Sequence, residues 1–121
     1  MATDPRIPVM FADPARVEAL LRVDDALLAE DGLAIPDGGL VRRFGLGAAS
    51  HAFGCTCCAG RSPPAQALAA LFLARARGEA VFFRRVIAVV RDVTLVRGLL
   101  EDDVMVRGRF LVSAEATPTV N

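Results

Sequence analysis

Residues 86–90, Val86-Ile87-Ala88-Val89-Val90, are apolar at every position. In an extended segment successive side chains point to opposite faces, so a run of this kind has no face to show to water. Such a strand belongs in a parallel sheet covered on both sides. Parallel neighbours need crossover connections, most often helices, rather than tight hairpins. The rest of the chain is therefore expected to alternate strands with helices in an α/β, three-layer domain with a mainly parallel sheet.

The remaining punctuation fits that expectation. Residues 7–11 read as a short buried strand, after which Asp13 offers a helix N-cap and Pro14 takes the first helical position. Val17, Leu20, Leu21, Leu27 and Leu28 follow at helical spacing. Asp24 is the polar intruder on that face, Asp24-Asp25 is a point where the helix can restart, and Asp31-Gly32 is its expected end. Residues 35–39 are turn-rich, residues 40–44 read as a strand, and residues 48–53 as extended chain. Gly45-Leu46-Gly47 lacks the third glycine of a dinucleotide fingerprint and reads as a loop. Ser62-Pro63-Pro64 starts a helix that Gly78 stops, with Leu68, Leu71 and Phe72 as its apolar stripe. Arg75 and Arg77 in its last turn suit the helix dipole as solvated charges. Thr94 is the expected cap of a helix carrying Val96, Leu99 and Leu100 and ending in Glu101-Asp102-Asp103. Residues 109–114 form the expected last strand. The first few residues and the polar tail 115–121 are expected to be flexible, leaving one domain over 1–121.

All three cysteines fall in residues 54–60, Gly-Cys-Thr-Cys-Cys-Ala-Gly. Flanking glycines let a backbone curl with positive φ, so the thiols can turn toward one point. Three readings are open. Cys55, Cys57 and Cys58 can be small buried hydrophobes. Cys55 and Cys57 can close a small disulfide ring, or Cys57 and Cys58 a strained vicinal one, in a thiol redox protein. Or the three thiolates can hold a soft metal: zinc, cobalt or copper(I). Clustering favours the metal, because filler cysteines have no reason to sit together. Three thiolates are one short of a tetrahedral zinc site, and the fourth ligand can be His51, water or a group from a partner.

Composition removes other classes. The 14 basic residues are all arginine and balance 14 acidic ones, so no P-loop lysine, Schiff-base lysine or lysine general base exists. Zero net charge and seven aromatics, all phenylalanine, argue against a nucleic-acid partner. Apolar runs are broken by arginine or glycine well short of membrane-spanning length. The N-terminal Asp4, Pro5 and Arg6 do not make a signal peptide, and clustered thiols suit a reducing cytoplasm. The high apolar fraction, 54%, is consistent with a covered face and hence a homo-oligomer.

Gly54-Cys55-Thr56-Cys57-Cys58 resembles the Gly-Cys-x-Cys-Cys motif of the CobW-type metallochaperone family, P-loop GTPases that handle zinc, cobalt or related metals. The likeness extends to the leucine-bearing helix after the motif and to Phe83-Arg84-Arg85-Val86-Ile87 as the strand that follows. Leu99-Leu100-Glu101-Asp102 and Arg109-Phe110 resemble the next helix and strand, and Ile7-Pro8-Val9 the family's first strand. The resemblance implies a P-loop-NTPase-like fold and a metal loop built on Cys55, Cys57 and Cys58. Where the family's first strand runs into a glycine-rich loop ending in lysine and threonine, this chain has Phe11-Ala12-Asp13-Pro14-Ala15-Arg16. Val89-Val90-Arg91-Asp92 stands in place of the family's Glu-Thr-Thr-Gly-like segment, and without lysine the guanine-reading lysine-aspartate motif is missing. The family's C-terminal domain is not expected within these 121 residues. The expectation is a CobW-like remnant without its P-loop: not an enzyme, binding zinc or another thiophilic metal such as Co2+, with no nucleotide. Its expected partners are the metal, a second copy and a protein partner in metal handling, with no membrane. The alternative is a non-catalytic interaction or oligomerisation module whose cysteines are structural.

Overall fold

The computed structural model describes residues 5–36, 40–45, 62–79 and 82–113. Among these residues five strands form one sheet: β1 (Ile7–Phe11), β2 (Asp25–Glu30), β3 (Leu40–Phe44), β4 (Arg85–Val89) and β5 (Phe110–Val112). Every pairing is parallel, and the spatial order is β3-β2-β4-β1-β5. The helices are α1 (Pro14–Leu20), α2 (Pro63–Ala76), α3 (Val93–Asp102) and the single turn α4 (Val104–Arg107).

The order dictates the layers. The chain moves from β1 through α1 to β2 in one direction across the sheet, then from β3 through α2 to β4, and through α3 and α4 to β5, in the other. Right-handed crossovers place helices made in opposite directions on opposite faces. Packing agrees. Val17 of α1 packs with Met10, Leu27, Ile87 and Val89 on one face. Leu68, Leu71, Val96, Leu100 and Val106 of the other helices pack with Val9, Leu28, Val86 and Ala88 on the opposite face. β4, paired with both β1 and β2, is buried at every residue, as its unbroken apolar run requires.

The second segment corrects the sequence expectation. Residues 25–30 are not a continuation of α1 but the strand β2, buried along its whole length between β3 and β4. Ala26-Leu27-Leu28-Ala29 consists of good helix formers, and burial on both faces overrides that propensity. Gly32 (φ +90°) closes the turn after this strand rather than a helix. Asp25 and Glu30, the acidic ends of the strand, are both buried, and each meets an arginine.

Helix ends follow the expected chemistry at Asp13 and Gly78 but not at the start of α3. Asp13 caps α1, its Oδ1 accepting the Arg16 amide at 3.0 Å. Gly78 (φ +75°) ends α2 in a Schellman arrangement, with Gly78 N–H to the Arg75 carbonyl and Glu79 N–H to the Ala74 carbonyl. The cap of α3 is Asp92, two residues before the expected Thr94; its Oδ1 accepts the Leu95 amide at 3.1 Å. Arg75 is not a simple solvated charge. Its Nε donates to the Phe83 carbonyl at 2.7 Å, its head stacks 3.7 Å from the Phe82 ring centre, and burial lowers its pKa. The last strand is shorter than expected, residues 110–112, and follows the unforeseen turn α4. The flexibility expected of the first few residues and of 115–121 falls almost wholly on residues outside the described ones. Among the described residues no helix is long and apolar enough to cross a membrane.

Candidate functional site

Because all five strands are parallel, every strand-to-helix connection leaves from the same edge of the sheet. Three such connections leave the carboxyl ends of β1, β3 and β4, and the β2–β3 connection leaves from the same edge. Open α/β sheets hold ligands at this edge, where neighbouring strands send their chains in opposite directions. In this order β1 and β4 are that pair: they are hydrogen-bonded neighbours, yet α1 and α3 depart from them on opposite faces.

A cavity of about 200 Å3 opens at this switch point. Phe11, Ala12 and Asp13 border it after β1, Arg16 and Leu20 from α1, and Val90 and Val93 from the β4–α3 connection. Its wall is apolar apart from Asp13 and Arg16. Beside it, the Arg97 guanidinium lies 5.7 Å from the Phe11 ring centre.

The neighbouring connections are pinned by charge. Glu30 at the end of β2 accepts the Arg91 amide at 2.9 Å and the Arg91 guanidinium at 3.0 Å, and Arg91 also reaches the Asp31 carbonyl at 2.9 Å. A Cβ at Gly32 would stand 2.7 Å from that guanidinium, whose flexible end could shift, but the φ of +90° itself favours glycine there. Arg43 of β3 donates to the carbonyls of Glu30 and Leu33, closing the other side of the same turn. Sequence reasoning missed this cluster because residues 25–30 read as helix. The available signal was a four-residue apolar run bounded by acids, a length that suits a strand.

No family model, curated protein or solved structure matches this chain.

The sequence-derived metal residues His51, Cys55, Cys57 and Cys58 lie outside the described residues, as do most of the loop at 45–47 and the extended segment expected at 48–53. Among the described residues no group of three or more His, Cys, Asp or Glu side chains is placed to hold a metal ion. The anchors of the cysteine-bearing connection are described. It leaves β3 at Gly45, where an added Cβ would stand 2.7 Å from Asp31 Oδ2, and it enters α2 at Ser62. Ser62 is the N-cap of α2, but its buried Oγ has no partner among the described residues. An N-cap oxygen ordinarily takes the amide of the second or third helical residue, and Pro64 removes the first of these.

Proposed function

We propose that this chain binds a thiophilic metal, zinc first among them, through Cys55, Cys57 and Cys58, and serves metal trafficking or homeostasis without GTPase activity. The observation that carries the reading is the set of three cysteines within four residues, set between glycines on the connection from β3 to α2. Thiolates with an imidazole are the donor set that zinc takes, and His51, water or a second copy is the source of the fourth ligand. The order of elements after the motif supports kinship with the CobW-type metallochaperones. α2 buries Leu68 and Leu71 as the expected leucine helix, and β4 is the expected strand behind it.

Elemental analysis of protein purified without chelator under reducing conditions is expected to find near-stoichiometric metal. Replacing Cys55, Cys57 and Cys58 by serine should remove it. A wild type that stays metal-free after anaerobic reconstitution would overturn the reading. A Cys55–Cys57 disulfide formed readily at cytosolic redox poise would favour thiol redox chemistry instead.

Nucleotide binding is expected to be absent. Phosphate loops work through successive free amides and a lysine. Here the turn after β1 opens α1 with a proline, gives the Arg16 amide to Asp13, and offers an aspartate where phosphate would sit. Calorimetry with GTP and magnesium should show no binding at tens of micromolar. A micromolar affinity abolished by Arg16→Ala would return the chain to the nucleotide-binding class.

A further inference from the structure

We propose that the cavity between the carboxyl ends of β1 and β4 is a second, metal-independent site, and that it takes a small organic acid: an apolar body carrying one carboxylate. Its position is the one at which open parallel sheets bind ligands, and its volume, about 200 Å3, suits a molecule smaller than a nucleotide. Ala12, Leu20, Val90 and Val93 give the apolar body its wall, and the Phe11 ring gives it a flat surface.

The charges select the head group. Asp13 is committed to its own helix, with Oδ1 holding the Arg16 amide at 3.0 Å. The Arg16 side chain is exposed and, among the described residues, has no carboxylate partner. Arg97 likewise has none, and stacks on the ring of Phe11. The Arg16 guanidinium in the cavity wall is therefore free to take a ligand, and its fork matches a carboxylate with two parallel hydrogen bonds. A phosphate fits less well. Pro14 has no N–H, the next amide but one is taken by Asp13, and the Asp13 carboxylate opposes a second negative charge.

The test is titration of the full chain with phenylacetate, followed by ligand-observed NMR and calorimetry at low ionic strength. Saturable binding is expected. The neutral isostere phenylacetamide should bind the wild type roughly tenfold more weakly or worse, the scale of one charge-assisted hydrogen bond. Arg16→Gln should weaken phenylacetate by a similar factor while leaving the circular dichroism and the urea midpoint unchanged, because Arg16 is on the surface. Ala12→Leu, which fills the cavity from β1's end, should abolish binding. Inorganic phosphate should not compete, and serine at Cys55, Cys57 and Cys58 should change nothing. That last arm keeps this site's success or failure separate from that of the metal loop. Equal affinity for phenylacetate and phenylacetamide, an Arg16→Gln variant that binds like the wild type, competition by phosphate, or no saturation would each overturn the proposal.

Discussion

Arg85→Ala is expected to cost about 3–5 kcal/mol of folding stability, the range for breaking a buried ion pair from one side. That is a large part of the roughly 5–15 kcal/mol that holds a typical domain together. Arg85 and Asp25 begin the two adjacent strands β4 and β2, in register across the sheet. The guanidinium donates to both Asp25 oxygens, at 3.1 and 2.7 Å, with only 10% and 2% of the two side chains exposed. It also donates to the Leu20 carbonyl at the end of α1 at 2.9 Å, and Asp25 Oδ2 accepts the Arg22 amide at 2.8 Å. Removing Arg85 thus strands a buried carboxylate and an orphan helix carbonyl together. Urea unfolding of Arg85→Ala should show the loss as a lowered midpoint. Arg85→Met combined with Asp25→Leu should recover much of it, because replacing a buried pair by apolar side chains leaves no charge uncompensated. The neighbouring Arg84–Asp24 pair is a control: at 3.7 Å, with side chains 81% and 46% exposed, it carries little weight. An Arg85→Ala midpoint no lower than that of Arg84→Ala would show that the buried network does not hold the two strands in register.

The same pair explains why part of the fold was legible in the sequence and part was not. β1, β4 and α2 announce themselves through local signals: an apolar run with no polar face, a Ser-Pro-Pro start, a glycine stop. β2 does not. Its Ala-Leu-Leu-Ala centre is helix-prone, and what makes it a strand is the company of β3 and β4, with partners for its two acids 60 and 61 residues away. Non-local pairing leaves no mark in a window of neighbouring residues. The cap of α3 shows a milder form of the same limit. Asp92 and Thr94 both suit an N-cap, and only the path out of β4 selects Asp92. For the site, parallel strands already imply a ligand-binding carboxyl edge, whereas the strand order that makes β1 and β4 the switch point required the structure. The cysteine motif is the opposite case, since its chemistry is written entirely in local sequence.

Phe83→Ala is expected to destabilise the protein by about 3–5 kcal/mol, and Phe82→Ala by about 1 kcal/mol or less. The two rings are adjacent in sequence, and nothing local separates them. In the structure Phe83 is 0% exposed and packs into the core between the sheet and α2, α3 and α4, whereas Phe82 is 67% exposed. Truncating Phe83 removes a fully buried ring and leaves a cavity that its close-packed neighbours fill only in part. It also removes the ring whose centre lies 5.4 Å from the Arg75 head, while the Phe83 backbone carbonyl that accepts Arg75 Nε at 2.7 Å remains. Truncating Phe82 removes mainly the stacking of the Arg75 head, 3.7 Å from its ring centre, at the surface. Paired urea titrations read the difference directly as midpoints at constant slope. A larger loss for Phe82 than for Phe83 would show that Phe82 rather than Phe83 anchors the entry to β4. The chain would then enter its central strand with the opposite face inward. Because side chains alternate, that one-residue shift would turn Val86 and Ala88 toward α1 and Ile87 and Val89 toward α2 and α3.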